Sequence, residues 1–404
     1  MLRVVATLLA ALVAFVPRAS LALEPPPWVA YDCPGFENPH QCFLDVDNDG
    51  CFGAGDGVVQ LPLLEGLVEL DGGLVCPPRV PPIDLAGPPL ALRVLGDVRF
   101  HGTRITLAPD TTLILVARND PGLSRIGLDA VDIRGAEGAE FQAGATGSIH
   151  FGGRAIFAKG IPGADESDFR LAGFLILPGV QELTVANSAR IAAGAITLAH
   201  TDKVSVGLGV NLQSFGAPND TAMRVPEVLL SSRGSLETRN LRIRARGLIQ
   251  ITSGGPLSLR GRSALRAEAP EGDLLVNSTA SAVTIDRLAA RVQRCLTIAG
   301  DSVQIGNPDD APARRSSVRA GGIGCRSTIE ARGALDLERL QLRAHRVTLT
   351  TEGTSVDLRK SRVRGRTRLS SIDVTTGAGS TCDFTGSKFL KTTLSENCGS
   401  LIGP

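Results

Sequence analysis

The segment Leu335-Asp-Leu-Glu-Arg-Leu-Gln-Leu342 is followed, 21 residues after its first leucine, by Val356-Asp-Leu358 and then Val363, so that the same apolar positions return. Each segment places one polar residue between two apolar ones, which is the period-2 pattern of a strand with one buried face. Strands this short do not form a stable sheet by themselves. Stacking successive turns of the chain pairs every strand above and below and buries the inward row as a continuous column. The repeat therefore predicts a coiled, all-β chain.

Short alternating segments of this kind continue from Leu90 to about residue 390, with Gly, Asn, Asp and Ser between them. An antiparallel sandwich also has short strands and turn signals. However, roughly 300 residues exceed one sandwich, and the Asn-Gly and Asp-Gly turns typical of hairpins are nearly absent from the repeats. No aromatic residue occurs between Gly216 and Asp383, which suits a narrow interior of Leu, Val, Ile and Ala. We expect roughly 12 to 14 coils of about 21 to 25 residues each.

This pattern of short alternating strands resembles that of the right-handed parallel β-helix proteins, both the pectin-lyase-like enzymes and the filamentous-haemagglutinin-like adhesins. The resemblance covers about residues 90 to 390 and implies an all-β, right-handed parallel β-helix (solenoid). It implies a fold more than a function, because one fold carries many functions. The expected organisation is a signal peptide at 1–22, a small disulfide-containing N-terminal cap with a calcium-loop motif and a Pro-rich connector at 23–89, and the parallel β-helix at 90–404.

The first residues predict export. Arg3 precedes an apolar run of 13 residues, Val4 to Val16, and Pro17 separates this run from a small-residue cleavage site at Ala22. The run is too short to span a bilayer, and no second candidate follows it. We therefore expect a secreted or cell-surface protein without a membrane span. The large excess of arginine over lysine among the 42 basic residues indicates a bacterial source.

Eight cysteines fit an oxidising compartment and fall into two groups of four, one before the repeats and one in the last third. Pairing within each group leaves nine of the 105 connectivities of eight cysteines. In the second group we favour Cys295 with Cys325 and Cys382 with Cys398. In the first group, which consists of Cys33, Cys42, Cys51 and Cys76, the three pairings stay open. Structural disulfides near the ends of a solenoid are the expected role, because no Cys-x-x-Cys redox motif is present.

An acidic loop, Asp45-Val-Asp-Asn-Asp-Gly-Cys-Phe-Gly-Ala-Gly-Asp56, resembles the calcium loops of EF-hand and dockerin proteins. It has oxygen side chains at positions 1, 3 and 5, Gly at 6, an apolar residue at 8 and a carboxylate at 12. The resemblance implies calcium as the cofactor, with these ligands: Asp45, Asp47, Asp49 and Asp56 through their side chains, and Cys51 through its backbone carbonyl. There is no second copy and Leu61-Pro62 interrupts any following helix, so a dockerin function is not implied. The alternative is an ordinary acidic turn.

Charge is unevenly distributed along the chain. Between Arg224 and Arg368 there are 25 Arg and one Lys against 14 acidic residues, a local charge of +12, so the remainder carries −11. Arginines alternate with small or apolar residues in two runs and therefore share one side of a strand. The predicted polyanion-binding residues are Arg242, Arg244, Arg246, Arg362, Arg364, Arg366 and Arg368. Stacked coils would join them into a stripe for acidic polysaccharide or a cell-surface glycan; a solvated outer surface is the alternative. We do not expect nucleic acid as a partner.

Signals for catalysis are weak. The five histidines are scattered without metal-ligand spacing, so we expect them at the surface or in turns, and neither a nucleophile elbow nor a phosphate loop occurs. We assign no catalytic residue. The expected function is an exported scaffold for adhesion to polyanionic glycans. A polysaccharide lyase or glycoside hydrolase of the same fold, and an inert envelope component, are alternatives. Three or more acidic residues in one lateral groove would favour the enzyme. The oligomeric state stays open.

Overall fold

The computed structural model describes residues 28, 31, 33, 40–119, 122–135, 138–152, 155–157, 171–215, 226–306, 315–322, 325–353, 355–366 and 370–403. The predicted signal peptide, 1–22, lies outside these residues. The chain forms a parallel β-solenoid of about 12 turns, so the predicted all-β parallel β-helix fold is confirmed. Each turn contributes three strands, and equivalent strands of successive turns pair in parallel.

Three stacks of strands form three faces of the solenoid. The strands confined to face 1 are Gly73–Cys76, Val98–His101, Arg125–Asp129, Ser148–Gly152, Glu182–Val185, Val303–Ile305, Leu335–Leu337, Ser355–Asp357, Thr381–Asp383 and Ser400–Ile402. Those of face 2 are Ile83–Leu85, Arg104–Leu107, Asp132–Gly135, Ile156–Phe157, Asn211–Ser214, Arg242–Ala245, Ser316–Ala320, Leu340–Ala344, Arg362–Gly365 and Lys388–Leu390. Those of face 3 are Gly66–Leu70, Leu90–Val94, Thr112–Ala117, Glu140–Ala145, Leu171–Ile176, Ile249–Ser253, Leu274–Ser278, Leu296–Gly300, Arg326–Ala331, Arg346–Thr351, Ser371–Thr375 and Thr393–Glu396.

Four longer strands turn a corner and belong to more than one face. They are Arg190–Leu208, which contributes to all three faces, Val228–Arg239, on faces 3 and 1, and Leu257–Ala267 and Val283–Val292, both on faces 1 and 2. The alternation is interrupted at these corners. In Val283–Val292, for example, Asp286 and Arg287 are both half-buried between the inward residues Ile285 and Leu288.

The 21-residue return seen in the sequence is one coil of the solenoid. Leu335 is in register with Val356 on face 1, and Val356 with Cys382 in the next coil. Leu335, Leu337, Val356 and Leu358 have no exposed surface, which confirms the predicted inward row. Inward columns of Leu, Val, Ile and Ala fill most of the interior, and buried phenylalanines join them at positions 100, 141, 151, 174 and 384. Each coil supplies one residue to each column, at roughly the 4.8 Å strand spacing.

Two disulfides lie in the N-terminal cap and two in the last third of the chain. Cys295 pairs with Cys325 and Cys382 with Cys398, as predicted, and the N-terminal group resolves into Cys33–Cys51 and Cys42–Cys76.

The N-terminal cap is a short antiparallel arrangement. Cys42–Asp45 pairs with Gly57–Val59 and with Gly73–Cys76, and Leu61–Leu63 forms one 3-10 turn. Parallel stacking begins before residue 90, since Gly66–Leu70 already pairs with Leu90–Val94. The cap is therefore built directly on the first coil.

Within the described part of the chain, no helix has the length and apolar character needed to cross a membrane.

Candidate functional site

Face 2 carries an arginine at the same register position in six consecutive coils. We call this row the arginine ladder; its members, in order, are Arg244, Arg266, Arg291, Arg319, Arg343 and Arg364. Neighbouring strands lie about 4.8 Å apart, so the ladder extends roughly 24 Å along the solenoid axis. Four of these arginines, at positions 266, 291, 319 and 343, were not among the residues predicted from the sequence.

The structure brings together only part of the predicted stripe. Arg242 and Arg244 lie on one strand of face 2, and Arg362 and Arg364 on another five coils further along. Arg246 and Arg366 lie just beyond the ends of these two strands. The Arg246 amide donates to Glu227, and the Arg366 guanidinium donates to the Gly321 carbonyl at 2.8 Å. Arg368 lies outside the described residues.

In the middle of the ladder, three successive coils share the pattern Arg-x-small-x-Arg. The three segments are Arg262-Ser-Ala-Leu-Arg266, Arg287-Leu-Ala-Ala-Arg291 and Arg315-Ser-Ser-Val-Arg319. Their central residues, Ala264, Ala289 and Ser317, are in register with one another. The outward surface is therefore a trough with a floor of small side chains and an arginine wall on each side. We call it the arginine trough.

A surface cavity of about 690 Å³ opens at one end of this trough. Its lining includes Arg242, Arg244, Arg262, Arg266 and Arg287. A second depression of about 410 Å³ adjoins it and shares Arg244. Five guanidinium groups around one cavity make a strongly positive recess, because few counter-charges lie nearby.

The ladder has almost no carboxylate partners. The outward positions of face 2 carry no Asp or Glu from strand Asn211–Ser214 to strand Lys388–Leu390. Arg244 pairs with Glu268 at 2.9 Å, whereas none of the other five ladder arginines forms an ion pair with any residue the structure describes. The Nε of Arg343 is buried without a hydrogen-bond partner. Asp286, at the corner beside Arg287, accepts a hydrogen bond from the Gly261 amide. Apart from the pair between Arg244 and Glu268, the described carboxylates therefore leave the basic charge of the ladder unneutralised.

Face 1 of the last coils presents carboxylates instead. Asp336, Asp357 and Asp383 are stacked in register in three successive coils. Burial raises the pKa of Asp336 and of Asp357, while hydrogen bonds from Thr385 lower the pKa of Asp383. The Arg359 guanidinium lies 2.7 Å from Asp357. The solenoid therefore separates an acidic row on one face from the basic ladder on another.

The predicted calcium loop gathers three of its five predicted ligands. Carboxylate oxygens of Asp45, Asp47 and Asp49 lie within 4.8 Å of one another. Asp45 is fully buried; its Oδ2 accepts from the Gly50 amide at 2.8 Å, and its Oδ1 has no hydrogen-bond partner. Burial is the largest cause that raises the pKa of Asp45 to about 6. A buried, unpaired carboxylate oxygen aimed at two further carboxylates fits a cation.

The other two predicted ligands close the loop by backbone contacts. Asp56 accepts hydrogen bonds from the amides of Val46 and Gly53 at 2.9 and 2.7 Å, so both of its oxygens are engaged. The Cys51 amide donates to Asp49, and its side chain is held by the disulfide to Cys33. Twelve residues are thereby fixed as one turn whose concave side holds the three aspartates.

Arg99 anchors this loop to the first coil. Its guanidinium donates to the carbonyls of Asn48 and Asp49 at 3.2 and 3.1 Å, and the side chain is almost fully buried. Gly50 has φ 91°, and a β-carbon there would overlap the guanidinium of Arg99. Glycine at loop position 6 is therefore required both by the turn and by the contact with the solenoid.

Two histidines contradict the prediction that all five lie at the surface or in turns. His101 and His150 occupy outward positions of face 1 but are only 4% and 1% exposed. Tyr31 packs on His101 with ring centroids 5.5 Å apart, and the hydroxyl of Tyr31 and both ring nitrogens of His150 lack hydrogen-bond partners. Burial lowers the pKa of each histidine to about 4. Tyr31 therefore covers His101 on a face that the alternating pattern alone assigns to solvent.

Comparison of the chain with protein-family profiles, with curated proteins and with solved structures finds no match.

Proposed function

We propose that this protein is an exported β-helix scaffold that binds polyanionic glycans through the arginine ladder. The observation that carries the proposal is the repetition of arginine at one register position in six coils, with an ion pair at only one of them among the described residues. A solvated surface that merely keeps a protein dispersed needs neither a constant register nor the exclusion of acidic residues. The rigid backbone holds the guanidinium groups at a fixed spacing, which favours an extended polymer with regularly spaced anionic groups.

The energetics support binding of a polymer rather than of a single ion. Six like charges about 4.8 Å apart repel one another, and an anionic chain that lies along them relieves this repulsion at every rung. Each exposed contact contributes little, about 0.7 kcal/mol. The sum over six rungs is about 4 kcal/mol, which corresponds to roughly millimolar affinity, and a single ligand that makes all six contacts loses the entropy of association only once.

Neutralising the middle of the ladder tests the proposal. The variant Arg266→Gln/Arg291→Gln/Arg319→Gln/Arg343→Gln is expected to bind an acidic polysaccharide roughly 100-fold more weakly at low salt, at about 0.7 kcal/mol for each lost contact. Isothermal titration or surface-based binding measures this change. Wild-type binding should also weaken as salt rises from 0.01 to 0.15 M, since screening shortens from about 30 Å to 8 Å.

A variant with the same change of net charge is the control. Replacement of four exposed arginines outside face 2 by Gln is expected to weaken binding less than about threefold; they are Arg118, Arg233, Arg332 and Arg346. Equal losses in both variants would mean that net charge, and not the ladder, is responsible. An absence of binding at low salt would favour the inert envelope component.

A polysaccharide lyase or hydrolase is the second candidate, and the stacked carboxylates of face 1 are the observation that favours it. Asp357 and Asp383 are in register in adjacent coils with pKa values shifted in opposite directions, as suits one acid and one base. The ion pair of Asp357 with Arg359 is equally compatible with a structural role. Detection of shortened products during the binding assays, and their loss in Asp357→Asn, would favour the enzyme.

We further propose that the acidic loop binds calcium and stabilises the cap, with Asp45, Asp47 and Asp49 as side-chain ligands, the Cys51 carbonyl as another, and Asp56 holding the loop closed. Calcium prefers several converging oxygens. The bound ion would neutralise three clustered carboxylates and give the buried Oδ1 of Asp45 a partner. Its role is structural, since the ladder and the loop lie on different parts of the molecule.

The change Asp47→Asn is expected to weaken calcium binding at least tenfold, because one of three converging charges is lost at nearly constant volume. Calorimetry on the mature protein should detect wild-type binding at or below about 1 mM, the weak end of the range for extracellular sites. Asp71→Asn, which removes an exposed carboxylate of the same cap, should leave affinity unchanged. A wild-type protein without calcium-dependent heat up to several millimolar would reject the site.

A further inference from the structure

We infer that the arginine trough is a specific binding site for a sulfated linear glycan that lies along the solenoid axis. The inference rests on the proposed function and narrows it, from polyanionic glycans in general to polymers that carry tetrahedral oxyanions. It is carried by the two arginine walls and by the small residues between them. A surface that attracts anions by net charge alone would need neither feature.

The floor of the trough consists of small side chains over three coils and is bounded by longer side chains at both ends. In register with Ala264, Ala289 and Ser317 are Arg242 on one side and Gln341 on the other. Residues two positions apart on a strand are separated by about 6.6 Å, so the two walls stand roughly 13 Å apart with the floor between them. This gap admits one extended chain whose substituents point to both sides.

Both walls supply guanidinium groups that lack ion-pair partners among the described residues. One wall consists of Arg262, Arg287 and Arg315, and the other of Arg266, Arg291 and Arg319. A guanidinium presents a rigid fork of donors, and a sulfate group offers three acceptor oxygens in different directions. A chain with sulfate groups on both sides therefore engages both walls at once. A uronate polymer carries one planar carboxylate with two acceptor oxygens for each sugar, and therefore offers fewer contacts to the two walls.

Nucleic acid, which also carries tetrahedral oxyanions, is disfavoured by the composition of the trough. Proteins that bind single strands add aromatic side chains on which bases stack. No Phe, Tyr or Trp occurs between Gly216 and Asp383, so the trough lacks the large aromatic side chains on which such proteins stack bases. The methyl groups of Ala264 and Ala289 suit the apolar side of a sugar ring.

Filling the floor without changing any charge tests the inference. Ala289 is a half-buried outward residue, so in Ala289→Leu the added atoms project from the floor into the trough. We expect this variant to bind heparin oligosaccharides about tenfold more weakly than wild type, while its melting temperature stays within about 2 °C. Ala299→Leu, at a half-buried outward position of face 3, should bind like wild type.

The probes separate the possible ligands. Heparin oligosaccharides, their chemically desulfated counterparts, oligogalacturonate and single-stranded DNA are compared at equal salt and similar charge. Tighter binding of heparin than of the other three supports the inference. Equal binding of oligogalacturonate, or tighter binding of DNA, overturns it.

The result distinguishes this inference from the proposed function. Suppose that Ala289→Leu binds heparin as wild type does, while the quadruple Arg→Gln variant of the ladder loses binding. The trough is then not the glycan-binding site, although the ladder remains a glycan-binding surface. If wild type binds none of the probes at low salt, both proposals fail.

Discussion

Replacing Leu337 with Asp is expected to lower the free energy of unfolding by about 3 to 5 kcal/mol, the usual cost of an uncompensated buried charge. Leu337 has no exposed surface and pairs in register with Ile305 on face 1. The inward column consists of apolar side chains above and below it, so no donor stands ready to pair the carboxylate. Denaturant unfolding monitored by circular dichroism measures the loss.

The matched control is Gln250→Asp, at a half-buried outward position of face 3 whose register neighbours, Leu229 and Leu275, are uncharged. Its carboxylate reaches water, so its effect should stay within about 0.5 kcal/mol. A Leu337→Asp protein as stable as the control would mean that Leu337 does not face the interior, and the assigned inward row of face 1 would have to be abandoned.

Acidification is expected to destabilise the first coils through His101 and His150. Burial lowers the pKa of both histidines from 6.5 to about 4. The unfolded chain therefore takes up protons at a higher pH than the folded one. Stability is complete above pH 6.5 and is lost as the pH falls towards 4, by about 3 kcal/mol for each histidine. For His101 the loss of stability is increased by Arg99, because the positive charge of its guanidinium also lowers the pKa of this histidine.

Unfolding curves between pH 4 and 7 for wild type and for His101→Phe/His150→Phe measure this contribution. Phenylalanine preserves the ring shape and removes nitrogens that lack partners, so the double variant should be as stable as wild type at pH 7 and more stable at pH 4.5. The pKa of Asp45 is raised to about 6, so its protonation favours the folded state as the pH falls and opposes the effect of the histidines. Both proteins contain Asp45, so its contribution cancels when their stabilities are compared. The exposed His40 provides the control variant, His40→Phe. Parallel pH profiles for wild type and the double variant would contradict the assignment.

The fold could be predicted because its evidence is local. Leu335, Leu337 and Val356 reveal both the alternation of a strand and the length of a coil without knowledge of any distant contact. The pairings Cys295–Cys325 and Cys382–Cys398 were favoured within the second group of four cysteines and are confirmed. The pairing of Cys33, Cys42, Cys51 and Cys76 did not, because it depends on how the antiparallel cap folds back on the first coil.

The arginine ladder was only partly predicted because its register depends on loop lengths. Arg244 and Arg364 were recognised within runs of alternating arginines on a single strand. Arg291 and Arg319 stand 28 residues apart, and Arg343 and Arg364 stand 21 apart, so no fixed period relates them. The repeated pattern Arg-x-small-x-Arg at Arg262, Arg287 and Arg315 is the signal that could have located the trough.

The buried histidines show the opposite limitation. His101 and His150 follow the rule that outward residues of a solenoid meet water, and that rule predicts them as exposed. Tyr31, which is far away in sequence, packs on His101, and Trp28 lies against the guanidinium of Arg125 at 4.7 Å. Alternation reports on which side of a strand a residue lies and carries no information about what covers that side.

Because the strands of face 2 stack in register, the number of coils determines the length of the proposed binding surface. Each additional coil with arginine at the ladder position lengthens the row by one rung of about 4.8 Å and leaves the remaining rungs unaltered. Duplication or loss of a single coil in the gene would therefore change the length of polymer that the protein engages in discrete steps. Such a surface adjusts its reach by the number of its repeats, whereas a binding pocket would have to be reshaped residue by residue.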